Sequence, residues 1–179
     1  MKLNAKELRD VKEEDIIDKL KTIKRRPMYF ILENIYDTYN IGGLFRLADA
    51  LSIEKIYICG ESEIPPNSKI KKASIGTYKV VPWEYRKTAR EAIEELRSKL
   101  KDQSSKIKII AVEQHPTSIP YTTADYSVPV ALIVGNETSG VTEETLKLAD
   151  QIVEIPMWGI NRSLNVIVSA AIVSYYAVI

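Results

Sequence analysis

Asn161, Ser163 and Asn165 interrupt a largely apolar run near the end of the chain, Ile155-Pro156-Met157-Trp158-Gly159-Ile160-Asn161-Arg162-Ser163-Leu164-Asn165-Val166. The run reads as a strand end, a glycine-containing loop and the start of an apolar helix. Backbone N–H groups at such a helix start lack partners and face a crevice, where small-molecule sites form in α/β proteins. Taken alone, Ser163 would equally serve as a helix cap. A second segment, Ala131-Leu132-Ile133-Val134-Gly135-Asn136-Glu137-Thr138-Ser139-Gly140-Val141-Thr142, carries a buried strand into a glycine turn, a carboxylate, a second glycine and a helix start. That is the layout of a ligand loop at the carboxyl end of a strand. An ordinary strand–turn–helix joint, with Thr142 and Glu144 as entry residues, has the same outline. In a third segment, Asn40 is placed to cap a helix, and Gly42 and Gly43 follow it. Each glycine costs roughly 1 kcal/mol against alanine inside a helix, which calls for close approach of a backbone or ligand. Arg46 stands among Leu44, Phe45, Leu47 and Ala48, and would otherwise be a surface arginine paired with Asp49 or Glu54. Phosphate-loop and dinucleotide glycine fingerprints are absent.

The elements that must position these groups come from one domain. The chain has 179 residues and is 45% hydrophobic, enough for a single well-packed core. Its 25 basic and 24 acidic side chains nearly cancel, so any electropositive surface must be local. Cys59 is the single cysteine, which excludes an internal disulfide and fits a reducing compartment. It sits in the apolar strand Ile56–Cys59 and reads as packing. One histidine, His115, makes no metal site by itself, and no Cys/His cluster has zinc spacing. No apolar run is long enough to span a bilayer, and the N-terminus lacks a signal core, which leads us to expect a cytoplasmic protein.

Periodicity predicts one amphipathic helix, or two short ones, over Ala5–Arg26, and a helix over Ile41–Leu51 opened by Asn40. It predicts helices over Thr88–Leu100, Glu143–Ala149 and Leu164–Ala177. Strands are expected at Met28–Leu32, Ile56–Cys59, Val80-Val81, Ile107–Val112, Val130–Val134 and Ile152–Ile155. Glu61–Lys72 reads as a loop because Pro65-Pro66 forbids regular structure. Strands alternating with helices imply a parallel sheet covered on both faces.

In this order, the segments resemble the SPOUT methyltransferases, specifically the SpoU/TrmH class of RNA ribose 2′-O-methyltransferases. Ile-Pro-Met-x-Gly-x-x-x-Ser-Leu-Asn-Val is the most specific motif, supported by Gly-Asn-Glu-x-x-Gly and by Ser74-Ile75-Gly76. The resemblance runs from about Met28 to the C-terminus. It implies an α/β fold: a parallel sheet flanked by helices, with a deep trefoil knot near the C-terminus. Residues 28–179 would form this domain, and 1–27 a basic amphipathic helical extension. The implied cofactor is S-adenosylmethionine, yielding S-adenosylhomocysteine. It would be held by Ile133, Val134, Gly135, Asn136, Glu137, Gly140, Ile155, Met157, Ser163, Leu164 and Asn165. Asn40, Arg46, Glu137, Ser163 and Asn165 match the family's catalytic positions. A homodimer is implied too.

The implied chemistry suits these residue types. The methyl group is already activated on a sulfonium, so no metal is needed, and the ribose 2′-hydroxyl must be held in line roughly 3–3.5 Å away. Neutralising a free arginine at pH 7 costs roughly 8 kcal/mol, so Arg46 is read as a cation gripping phosphate and stabilising charge on the 2′-oxygen. Glu137 or the phosphate would take the proton. His115 lies in a separate loop, Glu113-Gln114-His115-Pro116. Tyr39, Thr138-Ser139 and Ile167 depart from the common pattern, the last with only a packing change expected. The RNA partner, tRNA or rRNA, would meet three basic groups. Lys19, Lys21, Lys24, Arg25 and Arg26 lie in the first helix; Lys69, Lys71 and Lys72 follow the Pro-Pro loop; Arg86, Lys87 and Arg90 sit beside Trp83 and Tyr85. Each would otherwise be a solvated face. Rival readings are a non-catalytic RNA- or cofactor-binding knotted dimer, a base methyltransferase of the same fold, and an unrelated nucleotide-dependent α/β enzyme.

Overall fold

A computed structural model describes residues 2–100, 106–127 and 129–179. Its strands are β1 (Arg26–Glu33), β2 (Ile53–Cys59), β3 (Trp83–Arg86), β4 (Lys108–Val112), β5 (Ile119–Pro120), β6 (Val130–Gly135) and β7 (Gln151–Glu154). Its helices are α1 (Ala5–Asp10), α2 (Glu13–Lys21), α3 (Thr38–Leu51), α4 (Ser68–Ser74), α5 (Ala89–Lys99), α6 (Glu143–Leu146) and α7 (Val166–Val178). The strands form one sheet in the order β3-β2-β1-β6-β4-β7-β5, and all the pairings are parallel.

Alternation along each central strand feeds two cores. Phe30 and Leu32 of β1 and Leu132 and Val134 of β6 join the apolar faces of α3, α4 and α7. Ile31, Ala131 and Ile133 point the other way, among Tyr57, Ile109 and the inward residues of α5 and α6. Strands buried on both faces must read as continuous apolar runs, as β6 does. Cys59 is fully buried in the second core, and burial pushes its thiol up to about 12. The carboxylate of Glu33, at the end of β1, is buried too. It accepts hydrogen bonds from the Thr142 N–H (2.8 Å) and hydroxyl (3.0 Å) and from the Thr145 hydroxyl (2.5 Å), tying β1 to the start of α6.

Several boundaries depart from expectation. The N-terminal segment does not: it forms two short helices, one of the two forms expected, the first opened by a reciprocal Asn4–Glu7 capping box. The helical stretch stops at Lys21, so Lys24 and Arg25 lie in a connector and Arg26 opens β1. Helix α3 starts three residues earlier than expected: Asp37, not Asn40, caps it by accepting from the Tyr39 N–H at 2.8 Å. The stretch read as a loop over Glu61–Lys72 ends inside α4, because Asn67 caps a new helix just after the prolines. Val80 and Val81 are core residues after the 3-10 turn Thr77–Lys79, and the strand falls on Trp83–Arg86. The short edge strand β5 was not foreseen. Helix α7 begins at Val166, capped by Asn165.

Both glycines of α3 have a packing reason. A Cβ on Gly42 would lie 2.5 Å from the Ala73 Cβ and 2.8 Å from the Ser74 nitrogen, so α4 crosses there. A Cβ on Gly43 would lie 2.3 Å from the Ile167 Cδ1, so α7 closes on the next residue. The N-terminal helices are fastened to the same side. Lys79 donates to the carbonyls of Arg9 (2.9 Å) and Val11 (2.8 Å), and Gly76, at φ +88°, leaves room for the Leu8 carbonyl.

Candidate functional site

At the carboxyl ends of β4, β6 and β7 lies a cleft of about 360 Å³. Two loops frame it: the turn after β6 and the segment 155–165 between β7 and α7. The turn is built by Asn136. Its buried side chain accepts from the N–H groups of Thr138 (2.9 Å) and Ser139 (2.8 Å) and donates to the Ser139 hydroxyl at 2.8 Å. Gly140 returns at φ +64° and bonds back to the Asn136 carbonyl at 2.9 Å. Gly135 must be bare there, since a Cβ would sit 2.1 Å from the Gly140 carbonyl carbon.

Asn136 thus aims Glu137 at α3. The Asn40 amide nitrogen donates to the Glu137 carboxylate, and the Asn165 amide nitrogen donates to the Asn40 oxygen at 3.0 Å. The Asn165 oxygen accepts from the Ile167 N–H at 2.9 Å, which caps α7. The orientation of each amide follows from this chain, because a carboxylate only accepts and a backbone N–H only donates. A loop and two helices therefore meet in one polar relay, and the bare Gly43 lets α7 come close enough to close it.

The cleft is lined by Val134, Gly135, Asn136, Glu137, Gly140, Ile155, Met157, Ser163 and Leu164, all among the residues expected there. Two are not. Ile133 is fully buried in the core on the α5 side, because strand alternation sends it away from the cleft. Asn165 stands behind the rim in the relay. The cap role that Ser163 shared in the sequence falls to Asn165. Asn161 instead shapes its own loop, donating to the Ser163 carbonyl at 2.9 Å and accepting from the Ser163 N–H at 3.2 Å.

Arg46 is exposed on α3, beyond Asn40 by about 9 Å along the axis. It makes neither of the ion pairs with Asp49 or Glu54 that would explain it away. Nor does it line the cleft of its own chain.

The sequence reading missed Glu113 and Gln114, placed in a separate loop, and also Arg162, Glu154 and Ser169, all of which line the cleft. The Glu113 carboxylate accepts from the Val141 N–H at 2.9 Å, and Glu154 accepts from the Ser118 hydroxyl at 2.8 Å. What brings Glu113 in is strand order, with β4 lying between β6 and β7. No local pattern carries that information.

The basic groups divide. Lys69, Lys71 and Lys72 are exposed on α4, the helix that crosses α3 at Gly42. Lys24 and Arg26 are exposed as well. Arg25 is turned inward: its guanidinium donates to the carbonyls of Ile53 (3.2 Å) and Val80 (2.7 Å), and burial lowers its pKa against the pull of Glu54 and Asp49. Arg86 is held by Glu84 and Glu95 and lies over the Tyr57 ring, while Lys87 and Arg90 face solvent. The Lys19 side chain lies outside the described residues. Among the described residues, no group of three or more His, Cys, Asp or Glu is placed to hold a metal ion, and no helix is long and apolar enough to cross a membrane.

A parallel sheet with two shaped loops and a cleft at its carboxyl edge defines an α/β protein of the kind in which small-ligand sites form at that edge. The chain belongs to the SpoU rRNA Methylase family, whose pattern it matches over residues 27–175. It is 29% identical over 155 residues to the tRNA (guanosine(18)-2′-O)-methyltransferase of Escherichia coli, covering 86% of this chain and 64% of that enzyme. The chain thus spans just under two thirds of that relative's length. The enzyme of the same description from Thermus thermophilus is 30% identical, with 86% of this chain and 76% of that one covered. The AdoMet-bound rRNA methyltransferase of Sinorhizobium meliloti has a similar structure, with a TM-score of 0.75 and 26% identity over 95% of this chain and 59% of that one.

Proposed function

We propose that the chain is an S-adenosylmethionine-dependent RNA methyltransferase that modifies a ribose 2′-hydroxyl, with tRNA the first substrate to test and rRNA the second. The observation that carries this is the Glu137–Asn40–Asn165 relay at the lip of the cleft. It orients a carboxylate beside a small-ligand pocket, in a family whose relatives are named for 2′-O-methylation of guanosine.

The cleft suits the cofactor on its own terms. About 360 Å³ falls in the range of small-ligand pockets. Apolar Val134, Ile155 and Leu164 offer a surface for a flat base, and the bare Gly135 and Gly140 leave backbone exposed that a Cβ would cover. The carboxylate of Glu154 on the lining favours a cationic guest. When bound, S-adenosylmethionine supplies an electrophilic methyl group on its sulfonium. The chain's own residues do the rest. Asn40 holds Glu137 fixed, so Glu137 can accept the 2′-hydroxyl proton without a reorganisation step. Arg46, which makes no ion pair among the described residues, grips an RNA phosphate and offsets charge growing on the 2′-oxygen.

In this reading the C-terminal loops form the family's trefoil knot, residues 28–179 are the catalytic domain, and 1–27 extend the RNA surface together with α4. The working form is a cytoplasmic homodimer. Its support is apolar surface left open: Val168 and Tyr175 on α7, Ile179 just after it, and Trp158 and Ile160 in the cleft loop are all exposed. The test is nucleoside mass spectrometry of tRNA and rRNA from cells with and without the gene. Loss of one 2′-O-methylated nucleoside is expected. Loss of a base-methylated nucleoside, or no change in any RNA, would overturn the reading.

A further inference from the structure

The segment after β4 stands between the two loops of the cleft, because β4 lies between β6 and β7. It holds both. Glu113 Oε2 accepts the Val141 N–H at 2.9 Å, and Glu113 Oε1 accepts the Gln114 N–H at 2.9 Å. Contact with the turn is tight: a Cβ on Gly140 would lie 2.1 Å from Glu113 Oε2. On the other side, the Gln114 amide nitrogen donates to the Arg162 carbonyl. Among the described residues, this bond alone ties 156–164 to the rest of the fold by hydrogen bonding. The remaining bonds of that stretch run between Asn161 and Ser163. Within a single chain Trp158 and Ile160 of the same stretch are 92% and 103% exposed, so the protomer's own packing does little to hold it.

We propose that Glu113 and Gln114 form a clasp that presets the cofactor cleft, Glu113 fixing the turn after β6 and Gln114 fixing the loop after β7. Both are positioning residues and neither touches the reacting atoms. The proposal rests on the reading that this cleft holds S-adenosylmethionine. A loop left free must be ordered when the ligand arrives, and that cost is subtracted from affinity. A clasp removes it in advance. Gln114 is exposed, so its loss should leave the unliganded fold intact while weakening binding.

The test titrates S-adenosylhomocysteine calorimetrically into the full chain. Gln114→Glu keeps the size but removes the donor, and Gln114→Arg keeps a donor. Glu113→Gln removes one acceptor, and Ser163→Trp fills the cleft from an exposed position. We expect Gln114→Glu to weaken binding roughly tenfold, with an unchanged unliganded melting midpoint and faster amide exchange across 156–164. Gln114→Arg should bind within about threefold of the parent chain, and Glu113→Gln should fall between them. Ser163→Trp should abolish binding. If Ser163→Trp loses binding while Gln114→Glu binds as tightly as the parent, the clasp is wrong and the cleft assignment stands. If Ser163→Trp binds normally, or the parent chain does not bind at all, the cleft assignment fails and takes the clasp with it. A Gln114→Glu chain that melts several degrees lower and binds normally overturns the clasp in favour of a plain structural bond.

Discussion

Asn40 has both ends of its amide committed, one to a carboxylate and one to the cap of α7. Replacing it therefore tests orientation without disturbing the core. Asn40→Ala should lower single-turnover methyl transfer by at least about a hundredfold, since a fixed proton acceptor contributes on that scale. S-adenosylhomocysteine affinity should change only a few-fold, because Asn40 does not line the cleft. Asn40→Asp should be as inactive, with a second carboxylate facing Glu137. Arg46 is tested by its pH profile. If it acts as a permanent cation, Arg46→Lys should keep part of the rate with a flat response between pH 7 and 9. A rate that instead rises through a titration near pH 10, where a free lysine deprotonates, would point to the side chain as the base. The residue types of this site were legible in the sequence, but their assignments were partly exchanged. Asn40 looked like a cap and proved to be a relay; Asn165 is both. Asn and Asp favour caps equally, so Asp37, three residues upstream, competes for the same role with nothing local to separate them.

Helices α3, α4 and α7 come together on two glycines, and the two are not equivalent. At Gly42 an added methyl would meet backbone, the Ser74 nitrogen, besides the Ala73 Cβ. At Gly43 it would meet the tip of Ile167, which can rotate away. Gly42→Ala should cost about 1–3 kcal/mol as overpacking that the fold cannot relieve, read from urea unfolding. Gly43→Ala should cost less, and Ile167→Val in the same chain should recover much of the loss. Equal penalties at the two positions would contradict the packing described. At this scale the sequence showed most elements, because apolar periodicity reports which face is buried. It hid α4, since Pro65-Pro66 masked the Asn67 cap. It misplaced β3 as well, since Val80 and Val81 are apolar for the core and not for a ladder. Strand order lay beyond it, and with it the approach of Glu113 and Gln114, because order is decided by crossovers and not by local pattern.

On the whole molecule, net charge is close to zero, yet Lys69, Lys71 and Lys72 crowd the exposed side of α4, the helix that crosses α3 at Gly42. RNA affinity should therefore depend steeply on salt through a few contacts. Changing all three lysines to alanine should flatten the log affinity against log salt plot by about 2, since each contact to a single strand contributes roughly 0.7. Arg25→Lys should leave that slope alone and lower stability instead, because it gives up donors to two carbonyls. A slope that responds to Arg25 and ignores α4 would move the RNA track to the N-terminal connector.

The middle of the sheet has a consequence for how the protein comes into being. β1 pairs with β6, and Met28 and Val130 are about a hundred residues apart in the chain. At 5–20 residues per second, a ribosome needs on the order of 5–20 s to deliver the second strand after the first. Throughout that interval one edge of β1, apolar over most of Met28–Leu32, waits without its neighbour. Nascent chains should thus need shelter late in synthesis, and fragments ending before Val130 should aggregate where the complete polypeptide stays in solution.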